Sequence, residues 1–269
     1  ELCTIVNGRS GRCSEDCRFC AQSCHYHTGA EEYPFLPVQE IVEEGKRNEA
    51  AGVHRYSIVT AGRGLHGREL DHALEAYRRL GAETGLALCA SHGLQSVEEF
   101  QAMREAGVTR YHANLETSRR NFPNICTTHT YEDKLENIRR AQAAGLEVCS
   151  GGILGMGETW EDRIDMALDL SELGVVSIPL NLLTPIPGTP LEEAEPLTEG
   201  DVFRSVAIFR LLNPTAWIRM AAGRRRFADG GKMLFRCGAN AAITGDMLTT
   251  TGTGIAEDRT MFAQLGYEI

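Results

Sequence analysis

Cys13, Cys17 and Cys20 stand in the run Cys-Ser-Glu-Asp-Cys-Arg-Phe-Cys, a CxxxCxxC triplet. Three thiolates on one short loop can hold three irons of a 4Fe-4S cube, and no fourth cysteine is spaced to close the set. One iron is left open, and an open iron can chelate a small molecule through an amine and a carboxylate. The competing chemistry is a zinc knuckle of Cys17, Cys20 and either His25 or His27. Zinc sites usually set a second, distant Cys/His couple against the first, and none is spaced for it here.

A repeating unit must position this loop. Helical stretches end at glycine and apolar runs rich in β-formers follow, at Gly52 before Arg55–Val59, Gly85 before Leu86–Cys89, Gly107 before Thr109–Asn114, Gly145 before Leu146–Ser150 and Gly174 before Val175–Leu182. Glycine past a helix end with a buried strand soon after is the pattern of βα units. Strands predicted at Leu2–Val6, Ala216–Ala221 and Ala239–Thr244 bring the count to eight. Helices are predicted at Val38–Ala51, Glu69–Glu83, Ser96–Ala106, Tyr131–Ala144, Trp160–Leu173, Asp201–Leu212 and near Glu257–Leu265. Eight alternating units close most naturally into an α/β fold of the TIM type, a (β/α)8 barrel, here one domain over residues 1–269. The triplet then lies after strand one, on the C-terminal rim where barrels keep their active sites. Thr184–Pro190 reads as a stiff βα loop over the mouth.

Cys3, Cys89 and Cys149 fall in strands one, three and five, and Arg219 lies in the middle of strand seven. Each layer inside a barrel is filled from alternate strands, so three thiols and a guanidinium can meet in one interior layer. A single buried cysteine reads as a small hydrophobe. Three on alternate strands, beside an arginine otherwise buried without a counter-charge, favour a second iron-sulfur cluster. Cys24, Cys126 and Cys237 sit in loops or near element ends and read as structural, while His66, His72, His92 and His129 have no matched partner spacing.

Composition narrows the class. The 269 residues are 42% hydrophobic, enough for a full core, and no apolar run approaches the roughly 20 residues of a membrane span. No signal peptide is visible, which predicts a cytoplasmic protein, and nine cysteines in that setting point to metal or redox chemistry. The chain opens on Glu1 and not Met, which predicts a preceding segment. A net charge of −10 excludes an electrostatic footprint for nucleic acid or anionic membrane; the run Arg224–Arg226 reads as a solvated helix start.

Beyond the triplet, Phe19 stands where radical S-adenosylmethionine enzymes place an aromatic ring beside adenine. Four further blocks, Tyr111–Ser118, Asn124–Tyr131, Cys149–Glu158 and Trp217–Arg224, together with Ala-Gln-Ser after Cys20, resemble the biotin synthase family in order and spacing over nearly the whole chain. The resemblance implies a radical S-adenosylmethionine enzyme that inserts sulfur into dethiobiotin, taking sulfur from an auxiliary cluster deep in the barrel. Its implied cofactors are the 4Fe-4S cluster on Cys13, Cys17 and Cys20, S-adenosylmethionine, and the auxiliary iron-sulfur cluster. By position, Asn114 and Glu116 match a ribose-binding pair, Glu116 standing where Asp is more usual. Ile153 matches the residue packed on adenine, and Lys134 resembles a basic contact to the methionine carboxylate. His112 and Asn181 match asparagines that face the substrate's cyclic urea, with His112 a departure. The glycines of Gly151–Gly157 are expected to clear space for a nucleoside. A flavodoxin- or ferredoxin-type electron donor is implied as partner, with a homodimer as an open assembly.

A second departure concerns the auxiliary cluster. Better-known members take three cysteines and an arginine from strands two, three, five and seven; Cys89, Cys149 and Arg219 match, but strand two carries Ser57. Cys3 occupies a usually serine position on strand one. A ligand moved sideways predicts altered iron geometry and favours a cluster larger than 2Fe-2S. The nearest alternatives are other radical enzymes of similar build, a hydrogenase-cofactor maturase, which Arg236–Asn240 resembles, or a methylornithine synthase. From another class, a non-catalytic iron-sulfur carrier is disfavoured because carriers close their cluster with a full thiolate set.

Overall fold

The computed structural model describes residues 1–268, so Ile269, the last residue of the expected domain, lies outside it. Its strands are β1 (Leu2–Arg9), β2 (Arg55–Thr60), β3 (Ala87–Ser91), β4 (Val108–His112), β5 (Glu147–Cys149), β6 (Gly152–Leu154), β7 (Ser177–Leu182), β8 (Trp217–Met220) and β9 (Ala241–Ile243). Every ladder is parallel, and the sheet closes because β5 pairs with both β4 and β7 while β9 joins β8 to β1. β5 and β6 are one stave with a gap: Cys149 lies opposite Ser177 and Gly152 opposite Leu180, the same register on either side of Ser150–Gly151. The result is the (β/α)8 barrel, eight staves around one axis.

The helices α1 (Val38–Ala50), α2 (Gly67–Glu83), α3 (Val97–Glu105), α4 (Tyr131–Ala143), α5 (Trp160–Glu172), α6 (Glu199–Leu212), α7 (Lys232–Arg236) and α8 (Ile255–Gln264) surround it. Ser96, Thr130 and Thr159 cap α3, α4 and α5, each in a reciprocal bond with an acidic residue three positions on. α3 and α4 stop on glycines in the left-handed region, Gly107 (φ 103°) and Gly145 (φ 82°), which lets the chain turn straight into the next strand. The core fills the space between helices and staves, with Tyr56, Tyr77, Tyr111 and Phe100 fully buried and the last two packed edge to face at 4.6 Å. No helix among the described residues is long and apolar enough to cross a membrane.

The structure departs from expectation in five places. β1 continues to Arg9; β4 stops at His112, leaving Asn114 outside the ladder; the fifth strand is interrupted. The short α7, bounded by Gly231 and Gly238, gives too few residues for a visible helical period. Arg224 is also not solvated: it is buried and pairs bidentately with Asp258 of α8 at 2.7 and 2.5 Å, while Arg225 and Arg226 are exposed.

Candidate active site

The barrel encloses a cavity of about 330 Å³. Its lining verifies the strand alternation directly: Arg55, Ser57 and Val59 of β2 face in, as do Cys89 and Ser91 of β3. At the rim, the triplet loop follows β1 and folds on itself, with Cys13 N–H donating to the Gln22 carbonyl (2.9 Å) and Cys24 N–H to the Cys13 carbonyl (2.8 Å). Burial pushes the Cys13 and Cys20 thiols up, Cys20 to about 11, against backbone N–H groups of Glu15 and Gly62 aimed at Cys13 sulfur and of Gln22 and Ser23 aimed at Cys20 sulfur. Such N–H dipoles favour the thiolate form, and buried thiols ionise when a metal takes them. This donor set fits an iron-sulfur cluster.

The residues between the cysteines do work the sequence reading missed. Asp16 accepts from the N–H groups of Thr127 (2.8 Å) and Thr128 (3.2 Å), and Glu15 accepts from His129 Nδ1 (2.5 Å), Thr128 Oγ1 (2.9 Å) and Arg63 (3.2 Å). The segment they hold, Cys126–His129, is fixed at its far end by the Thr130 cap of α4. Cys126 Sγ consequently lies 3.8 Å from Cys17 Sγ and 3.2 Å from His129 Nδ1. Sharing the Cys17 proton, and then burial, pushes Cys17 up, while the same bond and His129 pull Cys126 down. Neither His25 nor His27 joins this group; His25 Nε2 is 3.0 Å from the Ser14 carbonyl oxygen. Cys126, read from the sequence as structural, and His129, left without a partner there, thus stand beside the triplet, and no short-range spacing announces them because Cys17 is over a hundred positions away.

Phe19, Cys20, Asn114, Glu116 and Ile153 all line the cavity near its mouth. Asn114 and Glu116 share a face with His112, but not by strand alternation. Beyond β4 the chain leaves the ladder, and Glu116 takes the left-handed region at φ 71°. It is held there from the neighbouring stave: Glu116 N–H donates to the Gly151 carbonyl (3.1 Å) and Ile153 N–H to the Glu116 carbonyl (2.9 Å). Asn114 accepts from Gly151 N–H at 3.0 Å and donates to the Glu116 carboxylate at 3.3 Å. Burial raises the Glu116 carboxyl, opposed by the charges of Lys134 and His112. Lys134, on α4, is half-buried outside the cavity wall.

At Gly151 and Gly152 it is packing that demands glycine. A Cβ on Gly151 would stand 2.0 Å from the Pro179 carbonyl oxygen, and one on Gly152 2.4 Å from that of Glu116. Both glycines let backbone meet backbone.

At the interior end, Cys3, Cys89, Cys149 and Arg219 line the same cavity. Ser57 lies opposite Cys89, Cys3 opposite Arg55, and His112 opposite Cys149. Burial lifts Cys3 to about 11 and Cys89 to about 12. For Cys149 burial is outweighed by His112 and Arg219, which bring it to about 7. Arg219 is not the uncompensated charge that the sequence suggested, because the Glu1 carboxylate pairs with it and also with Arg55 (3.2 Å) and Arg110 (3.1 Å). Three guanidiniums meet two carboxylates, since Arg110 also pairs with Glu147 (2.8 Å), so an excess of positive charge still faces three thiols, a donor set and field that fit an anionic iron-sulfur group. Arg55 and Arg110 were legible as inward positions, two residues before Ser57 and His112.

Asn181 lines the cavity but spends half its amide on the frame, donating to the Gly152 carbonyl (3.3 Å) and accepting from Ala222 N–H (3.2 Å). One N–H and one lone pair remain for a ligand. The Thr184–Pro190 loop does lie at the mouth, where Leu183, Thr184 and Ile186 join Met247–Thr250 in the lining.

Residues 9–170 match the model of the Radical SAM superfamily, and 179–268 that of the Biotin and Thiamin Synthesis associated domain. Over its whole length the chain is 60% identical to the biotin synthase of Clostridium beijerinckii, covering 85% of that protein. It is 59% identical to that of Alkaliphilus metalliredigens and 55% to that of Akkermansia muciniphila, covering all of this chain and 84% of each protein. Among solved structures, methylornithine synthase superposes with a TM-score of 0.86 at 19% identity, over 99% of this chain and 82% of that one. The FeFe-hydrogenase maturase of Carboxydothermus hydrogenoformans gives 0.81 at 15%, over 99% and 66%. These two share the fold.

Proposed function

The chain belongs to the biotin synthase family, and from that premise we propose how its own residues divide the work. It is a radical S-adenosylmethionine enzyme that inserts sulfur, with dethiobiotin as the substrate that membership implies. When bound, the 4Fe-4S cluster and S-adenosylmethionine supply a carbon-centred radical able to attack unactivated C–H bonds, and an auxiliary cluster supplies the sulfur.

In this reading Cys13, Cys17 and Cys20 hold the radical-generating cluster, and Glu116 with Asn114 takes the ribose hydroxyls. Phe19 and Ile153 flank the adenine, and Lys134 adds positive charge toward the methionine carboxylate. Dethiobiotin lies between the rim and the interior thiols, oriented by His112 and by the free half of the Asn181 amide. Cys3, Cys89 and Cys149 hold the auxiliary cluster. Arg219 acts as counter-charge rather than fourth ligand, since its guanidinium is already engaged by Glu1 and the Ala242 carbonyl (3.0 Å). The Cys3 position, displaced by one strand from Ser57, favours a cluster larger than 2Fe-2S. A one-electron donor of the flavodoxin or ferredoxin class completes the requirement.

The observation that carries this reading is that Cys3, Cys89 and Cys149 line one cavity with Phe19 and Cys20. The test is Cys3→Ser, read by iron and sulfide counts. Auxiliary iron and biotin formation should vanish while 5'-deoxyadenosine is still produced; Cys13→Ala should abolish 5'-deoxyadenosine itself, and Ser57→Ala should keep both clusters. Full auxiliary iron in Cys3→Ser would overturn the displaced-ligand assignment.

A further inference from the structure

We propose that Cys17, Cys126 and His129 form a mononuclear site for a divalent transition metal, of the zinc or ferrous type, in the chain before its rim cluster is assembled. Among the described residues these are the three metal-ligating side chains whose donor atoms converge, all within 4.8 Å of one another. A tetrahedral ion with metal–sulfur bonds of about 2.3 Å and metal–nitrogen bonds of about 2.0 Å spaces two sulfurs about 3.8 Å apart, and sulfur from nitrogen about 3.5 Å. Cys17 and Cys126 stand at 3.8 Å, and Cys126 and His129 at 3.2 Å, so these two pairs are within a few tenths of an ångström of that geometry, while Cys17 and His129 lie within 4.8 Å of each other. Asp16 Oδ1 lies 3.2 Å from Cys126 Sγ but does not join the converging group, so the fourth position is left to solvent.

The supporting shell is already in place. Cys126 and His129 are buried, Cys17 is half-buried, and the loop they share is tied to the triplet by Asp16 and Glu15. Binding through Nδ1 moves the imidazole proton to Nε2, and each thiol releases one proton to solvent. Glu15 then loses its His129 donor but retains Arg63 and Thr128. Two thiolates and a neutral imidazole on a dication leave the site without net charge.

Cys17 is common to this site and to the rim cluster, so the two occupants exclude each other. That consequence rests on the cluster assignment; the metal site does not. The probe is therefore cobalt(II), titrated anaerobically into the full-length, cluster-free chain. One equivalent should produce thiolate-to-cobalt charge-transfer and tetrahedral d–d bands. Affinity should fall by about 100-fold in Cys126→Ser and in His129→Gln, and stay unchanged in Cys13→Ala and Cys20→Ala. Bands that survive Cys126→Ser and His129→Gln but vanish in Cys13→Ala or Cys20→Ala would assign the ion to the triplet alone and overturn the proposal. So would the absence of stoichiometric tetrahedral binding in the wild type. In a second measurement, one equivalent of zinc should slow assembly of the rim cluster in the wild type and not in His129→Gln. Equal slowing in both would refute the competition and leave the cobalt result to decide the site.

Discussion

Replacing Gly151 with alanine puts a methyl group into backbone on the seam between the divided stave and β7. The new Cβ would sit 2.0 Å from the Pro179 carbonyl oxygen, 2.9 Å from its carbon and 3.0 Å from its nitrogen. Gly151 does not lie in the left-handed region, so the entire cost is steric. Overpacking of this kind costs about 1–3 kcal/mol, and with backbone on both sides the upper figure applies, about 3 kcal/mol. For a chain of this size that lowers Tm by about 6–12 °C. The comparison variant is Gly157→Ala, where φ is 89° and nothing stands within 4 Å. Its cost is conformational only, about 1–2 kcal/mol, and its Tm drop correspondingly smaller. Both are measured by circular dichroism melts in the same cofactor state. Because Gly151 also donates to Asn114 and accepts from Glu116, the first variant should weaken S-adenosylmethionine binding as well. A Gly151→Ala protein melting within 2 °C of wild type, as judged against the estimated drop of about 6–12 °C, would refute the close-packing account.

Two further outcomes follow from the site. Glu116→Ala removes a charged acceptor, a loss of about 1.5–3 kcal/mol, so S-adenosylmethionine should bind about 10- to 100-fold more weakly with iron content intact; unchanged affinity with lost iron would make Glu116 a structural residue. His92 is fully buried between Thr60 Oγ1 (3.0 Å) and Tyr77 OH (2.8 Å), and burial lowers it from 6.5 to about 3. The unfolded chain then binds the extra proton between those values, so stability present above pH 6.5 is lost as pH falls, by about 1.4 kcal/mol per unit from this group alone. Chemical denaturation across that range should show a shallower slope in His92→Gln, and an unaltered slope would mean that His92 titrates normally in the folded chain.

The barrel was legible because its signals are local. Val59, Ser57 and Arg55 alternate inward as a period of two demands, and helix ends such as those at Gly107 and Gly145 announce themselves by glycine. Gly85 is the instructive exception: α2 stops at Glu83, Thr84 is already extended, and Gly85 is not in the left-handed region. The interior thiols were readable for the same reason, as a consequence of which strand each occupies. What escaped was set by tertiary contact. The partner of Arg219 is Glu1, at the other end of the chain, and the left-handed turn at Glu116 depends on hydrogen bonds to Gly151 and Ile153. Cys126 reaches Cys17 only because Glu15 and Asp16, which looked like spacers, clamp two loops together.

The way the barrel closes bears on how its interior can be reached. β9 has three residues and joins its neighbours through Arg219 and Met220 on one side and Leu2 and Cys3 on the other, whereas β1 and β2 run together from Cys3 to Arg9. Side chains beyond the ladder hold this thin stave shut: Arg224 against Asp258, and Phe235 edge-on to Phe262 at 4.6 Å. Local opening follows the weakest cooperative unit, so the amides of Ala241–Ile243 should exchange with solvent before those of β1–β3. Cys3 sits on that seam. Peeling the C-terminal segment away would therefore expose the Cys3 thiol while the rest of the barrel stays folded.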